Sequence, residues 1–271
     1  MYAIINVIVI EIAEFLVSAG CNIHHRSNSG KTALWKAAAG GHRELVHLLY
    51  ALGVDLNVHN QVGETVLFEC CRKIRLLSLV SDLIDFGADK DARDVEKNSV
   101  LHLAAVGGNT PAGELLLSSG AELDCVNEYG NTPLHNAVIH GQTAFAVALL
   151  NHGAATNVQN LSGQSALYVA MLHLQRNSCR LLRRVGARLT AKERALFEKC
   201  EYRSDEKRGF YRWLNAMFSS PMEMTSVCRI VIRRHLTTNP VISVPKLPLP
   251  EALRHFLLLD DSIIGFSPES V

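Results

Sequence analysis

The residues of this chain with the widest chemical reach are its histidines and cysteines, and their spacing gives them little to do. His24 and His25 follow closely on Cys21, but no Cys-x-x-Cys or His-x-x-x-His completes a four-ligand set, so the spacing argues against zinc. His102 and His135 also lack a second ligand at metal spacing. The cysteines (Cys21, Cys70, Cys71, Cys125, Cys179, Cys200, Cys228) are odd in number and scattered, which argues for reduced thiols and against a disulfide framework. A reducing compartment, cytoplasm or nucleus, is therefore expected. Gly-x-Gly-x-x-Gly after a strand, Gly-x-x-x-x-Gly-Lys-Ser/Thr, Gly-x-Ser-x-Gly and His-Glu-x-x-His are all missing, so phosphate-cradling, serine-nucleophile and metalloprotease readings lack their minimal parts. The expectation is a chain with no catalytic residue, no cofactor and no metal; only a stoichiometric bound metal would revive an enzyme reading. Arg180, Arg183, Arg184 and Arg188 cluster near the end of a helical stretch, which predicts a solvated helix face or a seat for an acidic partner.

Composition narrows the partners. Twenty-seven Lys and Arg against 26 Asp and Glu leave a formal charge of +1, which supplies no broad field for nucleic acid or an anionic membrane. A content of 48% hydrophobic but only 6% aromatic residues suits many small packing units better than one bulky core. Residues 1–10 are apolar, yet they have no basic flank and meet Glu11 and Glu14 at once, so neither a signal peptide nor a membrane span is expected. They are read as standing in for the first helix of an incomplete repeat, with Ile12 to Gly20 its second helix and turn.

The elements come from a period. A phrase ending in Gly-Ala or a close variant places its glycine at Gly20, Gly53, Gly87, Gly120, Gly153 and Gly186, spaced 33, 34, 33, 33 and 33 residues apart. In register with it, a second phrase runs through Thr32-Ala-Leu34, Thr65-Val-Leu67, Ser99-Val-Leu101, Thr132-Pro-Leu134 and Ser165-Ala-Leu167. Thr or Ser before an apolar stretch predicts a helix N-cap, and Pro133 falls where a first-turn proline is harmless. Residues 44–50 and 145–151 read as second helices closed by the repeated glycine, so the unit is helix, turn, helix, glycine cap and a polar hairpin. Lys73-Ile-Arg75 stands where a Gly-His turn is expected, and Lys97 where the hairpin glycine is expected, which predicts distortion in those two units.

This unit resembles the ankyrin repeat, whose Gly-x-Thr-Pro-Leu-His-x-Ala pattern is met from Gly130 to Ala137. The resemblance implies an all-α solenoid: a partial repeat over residues 1–27 and five repeats over residues 28–190. It also implies that His102 and His135 bridge neighbouring repeats by hydrogen bonds. Residues 191–220 are charged and aromatic and read as capping or connecting helices.

From Pro221 the text changes. Met224, Val227, Cys228 and Val231 fall on one helical face, and Leu249, Leu253, Phe256 and Leu257 on another, so two apolar-faced helices with little core of their own are expected to finish their burial on a partner. Pro221, Met224, Val227, Cys228, Arg229, Ile232, Arg233 and Leu236, followed by Leu247, Pro248, Leu249 and Pro250, resemble a SOCS box over residues 221–260, ahead of a tail at 261–271. The resemblance implies that Met224, Val227, Cys228, Val231, Ile232 and Leu236 dock on elongin C, itself paired with elongin B. It implies further that Leu247 to Pro250 select cullin-5 with its RING partner.

Ankyrin repeats with such a tail resemble the ankyrin-repeat and SOCS-box substrate receptors of ubiquitin ligases, which hold a client protein near the ligase and leave the chemistry to other subunits. A scaffold or inhibitor whose tail only caps the array is the competing reading. The hairpin tips and first helices are expected to line a concave client face, with Asn28, Lys31, Gln61, Glu64, Glu128, Tyr129 and Asn131 around the hairpins and Arg72 and His140 at helix ends. Tyr129 is the expected anchor.

Overall fold

The computed structural model describes residues 2–198 and 205–219. The expected module from Pro221, with every residue assigned to elongin C or cullin-5, lies outside them. The chain divides into two units, Met1–Glu128 and Tyr129–Val271, so the structural division falls inside the array and not at its end.

The first unit holds α1 (Tyr2–Ser18), then three helix pairs: α2 (Ala33–Gly40) with α3 (Arg43–Ala51), α4 (Val66–Cys71) with α5 (Leu77–Asp85), and α6 (Val100–Gly107) with α7 (Thr110–Ser118). First helices pack in succession, α2 on α4 on α6, while α1 meets α3 and α5 meets α7. The apolar start does not form a separate first helix. It continues into α1, because no glycine or proline interrupts the run from Tyr2 to Ser18.

The second unit holds α8 (Pro133–Ile139) with α9 (Thr143–Asn151), α10 (Ala166–Leu172) with α11 (Arg176–Arg184), and then α12 (Ala191–Glu198) and α13 (Asp205–Ser219). Here α8 packs on α10 and α9 on α11. Among the described residues there are no strands, only two isolated bridges, Arg93 with Ser99 and Gln159 with Ser165, so the architecture is all-α.

The repeat period is a burial period. Leu34, Leu67, Leu101, Leu134 and Leu167 of the first helices are at most 1% exposed, and Leu49, Leu83, Leu116, Leu149 and Leu182 of the second helices at most 4%. Each such side chain stabilises its unit by roughly 1.5–3 kcal/mol of apolar burial. Thr32, Ser99, Thr132 and Ser165 accept the backbone N–H three residues on, as N-caps do. Thr65 does not, and its buried hydroxyl has no partner.

That lapse falls in the repeat carrying Lys73-Ile-Arg75. There α4 stops after six residues and a 3₁₀ turn, Ile74–Leu76, replaces the glycine-closed turn. The repeat carrying Lys97 keeps a regular helix pair; its irregularity is confined to Lys97, held at φ 61° where the other hairpins place glycine. Leu174, at φ 57° in the turn between α10 and α11, does the same at the position of Gly41, Gly108 and Gly141.

Beyond the last repeat, Thr190 and Glu193 form a reciprocal cap for α12: Thr190 N–H donates to Glu193 at 2.7 Å, and Glu193 N–H to Thr190 Oγ1 at 3.2 Å. The other oxygen of Glu193 accepts Ser165 N–H at 2.6 Å. In the two preceding repeats that amide position is served locally, by His102 Nδ1 for Ser99 (3.1 Å) and by His135 Nδ1 for Thr132 (3.2 Å). Tyr168 occupies the histidine position in the last repeat and offers no such acceptor, so α12 supplies it.

Candidate binding surface

Successive hairpins are tied by one recurring hydrogen bond. Gln61 N–H donates to Ser29 O, Val95 to Val62 O and Glu128 to Glu96 O in the first unit, and Leu161 to Tyr129 O in the second, at 2.9–3.2 Å. The spacing brings the hairpin backbones so close that a Cβ on Gly130 would sit 2.7 Å from Leu161 N, and one on Gly63 2.8 Å from Val95 N. Both glycines also hold positive φ, 73° and 79°, so bare glycine is required there twice over.

In the second unit this ladder places Tyr129 beside Leu161. With Ile139 of α8 and Val169, Leu172 and His173 at the α10 end, they line a groove of about 330 Å³, floored by the amides of Asn131, Asn160 and Gln164. Tyr129 is 54% exposed, Leu161 80% and Leu172 47%, so much of this apolar surface faces solvent. Asn160 fixes the floor: its amide donates to Asn131 Oδ1 at 3.0 Å while its own Oδ1 accepts Ser162 and Gln164 N–H at 3.0 Å. His135 secures the wall, accepting through Nδ1 and donating from Nε2 to Gln164 O at 3.1 Å. Burial lowers its pKa and keeps the ring neutral in that tautomer, the inter-repeat bridge expected of it.

The other expected surface residues are used differently. Asn28 is exposed and its carbonyl receives the Gln61 amide, while Lys31 lies over the Trp35 ring at 5.0 Å. Glu64 is a correction: it is 6% exposed, accepts from Asn60 at 3.0 Å and pairs with Arg72, so it is sealed into its own hairpin. Arg72 is exposed but its guanidinium is turned onto Glu64, with Glu69 at 3.9 Å. Glu128 and His140 are exposed, and Asn131 is half-buried in the groove floor. Of the nine candidates, the groove gathers only Tyr129 and Asn131. Leu161 was missed: it shares its hairpin column with Asn28, Gln61, Val95 and Glu128, so an apolar residue there was a weak signal that did not single it out.

The basic cluster also needs correcting. Arg180 lies over the Trp213 ring at 5.2 Å, with Arg176 at 5.6 Å, and Arg183 lies over Phe218 at 5.6 Å. Arg180 and Arg183 thus help seat α13 on α11 by cation–π contact and are not part of a solvated face, whereas Arg188 is exposed as expected. Phe210, Tyr211 and Leu214 of α13 are buried.

One cluster has the composition of a nucleophile site. His102 Nδ1 is 2.9 Å from Ser99 Oγ, and Cys125 Sγ donates to that oxygen at 3.2 Å. All three are at most 3% exposed, burial pushes the Cys125 thiol up, and the ring nitrogen is engaged by the helix cap, so no substrate or base function is available. Burial likewise pushes Cys70 and Cys179 up to about 12. Among the described residues no group of His, Cys, Asp and Glu could hold a metal ion, and no helix is long and apolar enough to cross a membrane.

Comparison with known proteins agrees with this geometry. The family model described as ankyrin repeats (3 copies) matches residues 1–94 and 101–193, and that for the SOCS box matches residues 220–258. A probable E3 ubiquitin-protein ligase, XBOS32, of Oryza sativa subsp. japonica is 36% identical over 83 residues, 30% of this chain and 16% of that protein. The E3 ubiquitin-protein ligase XBAT33 of Arabidopsis thaliana has the same figures. The ankyrin repeat and KH domain-containing protein mask-1 of Caenorhabditis elegans is 30% identical over 109 residues, 40% of this chain and 4% of that protein. The chain thus spans less than a fifth of the length of these relatives.

Proposed function

Because this chain belongs to the ankyrin-repeat and SOCS-box family, we propose that it is the substrate-recognition subunit of a cullin-RING ubiquitin ligase. The repeats hold a client protein, and the C-terminal module binds elongin C with elongin B and, through Leu247, Pro248, Leu249 and Pro250, cullin-5 with its RING partner. No residue of this chain takes part in bond making. Its contribution is proximity, which raises the effective concentration of client lysines at the ligase. The observation that carries the reading is the SOCS-box match over residues 220–258, directly after the repeats and their closing helices.

The client is held on the hairpin face, which includes the exposed Tyr129–Leu161–Leu172 groove. Asn28, Lys31, Gln61 and Glu128 of the first unit and His140 of the second are further candidates for client contact. The described cysteines are free and four of the five are buried, which supports work in the reducing cytoplasm or nucleus.

Co-purification tests the assignment. Full-length protein should recover elongin B and C in near-equal amounts, and a Val227→Asp, Cys228→Asp variant should lose at least about tenfold of that recovery, as burying a charge in an apolar seat does. Equal, low recovery by both proteins would overturn the receptor reading and leave a scaffold whose tail only caps the array.

A further inference from the structure

The charge of this chain is not spread evenly. From Tyr129 through Lys192 there is no Asp or Glu at all, while the same stretch carries six Arg and Lys. The next carboxylate, Glu193, is 1% exposed and fully engaged with Ser165 and Thr190. Burial opposes its ionisation, but the hydrogen bonds from those two residues prevail and lower its pKa, so it is an internal anion that offers a ligand nothing. The groove at Tyr129 and Leu161 lies within this acid-free stretch. Lys192 Nζ stands at its edge, 3.8 Å from where a Cβ on Gly163 would be.

Building on the client-binding reading, we infer that the groove takes a short client segment in which an apolar side chain is flanked by carboxylates. The apolar residue enters between Tyr129, Leu161 and Leu172, whose exposed surface and roughly 330 Å³ of space suit one large side chain with its flanking main chain. The carboxylates run toward Lys192, where no acidic side chain of the stretch opposes them. A cationic segment would be repelled by Lys192, and a purely apolar one would leave it unused. A nucleic-acid strand would need a run of cations along the groove, whereas the floor is built of Asn131, Asn160 and Gln164.

The test uses the full chain and an array of short peptides with Leu, Ile, Phe or Met at the centre and Asp/Glu, Ser/Gln or Lys/Arg on either side. A single-stranded oligothymidine serves as the competing polymer. The acidic series should bind at least about tenfold tighter than the basic series, Lys192→Glu should erase that preference, and Leu161→Asp should weaken every series by about tenfold. Both side chains are exposed, so both variants are expected to fold; unchanged circular dichroism and thermal melting check this. No charge preference, a preference untouched by both variants, or oligothymidine binding as tight as the acidic peptides would each overturn the inference. Elongin recovery by the same variants keeps the two readings apart. A groove without the stated preference leaves elongin binding intact, and loss of the ligase reading leaves the peptide preference intact.

Discussion

The two units are built on one repeat and put it to opposite electrostatic use. Residues 1–128 carry ten Lys and Arg against sixteen Asp and Glu, and residues 129–271 carry seventeen against ten. In the first unit much of that charge is spent internally: Arg43 and His47 converge on Asp82 at 2.6 and 2.8 Å, and Arg72 and Lys73 fold onto Glu64 and Glu69. In the second, arginines lie on aromatic rings and the hairpin face is amide and apolar. The repeat phrase therefore fixes packing alone. What a repeat presents to the outside is written in the columns between the phrase residues, which the fold leaves free.

Three experiments would break or sharpen this contrast. The largest effect is expected from adding one methyl group to a hairpin glycine. Gly63→Ala and Gly130→Ala each force a Cβ onto neighbouring backbone at positive φ, and each should cost its unit about 2–3 kcal/mol in urea unfolding. Only Gly130→Ala should also abolish peptide binding. Equal loss from both would mean that the groove is not the local feature described.

Acidification comes next. In the second unit His135 and His152 have pKa values lowered by burial, so the unfolded chain binds protons first and stability falls as pH drops through and below about 6.5. In the first unit the Arg43 hydrogen bond, against some burial and with help from His47, holds Asp82 down to about 2. A depressed carboxylate gives its full contribution above its unfolded value and loses it as pH falls from about 4 toward 2. Amide exchange followed from pH 7 to 5 should therefore open the second unit before the first. The reverse order would contradict these assignments.

The smallest effect is a gain. Lys97→Gly should relieve the left-handed strain at φ 61° and raise stability by about 0.5–1 kcal/mol once the extra freedom of the unfolded chain is subtracted. A loss would mean that the lysine side chain repays its backbone.

Much of the architecture was legible because it repeats. The buried leucines, four of the five caps and the closing glycines all sit on the period, and a period is visible in one dimension. The failures lie off it. Glu64 shares its column with the half-buried Lys31, Asn131 and Gln164 and the buried Asn98, so the column does not fix exposure; Asn60 and Arg72 draw Glu64 inside. The arginines of α11 looked solvated because Trp213 and Phe218, which cover them, come more than twenty residues later in a segment without the repeat. Lys73 and Lys97 stood out equally as departures, yet one shortens a helix and the other bends a single residue. That outcome depends on whether the neighbouring backbone can absorb the change.

The bond from Glu193 to the Ser165 amide bears on how this chain can be divided. A fragment trimmed where the period ends, at residue 190, would strip the final repeat of an acceptor supplied from outside its own thirty-three residues. The same carboxylate does for Ser165 what a histidine ring does in the two preceding repeats, so a graft that replaced α12 would leave that amide open unless Tyr168 were also changed to His.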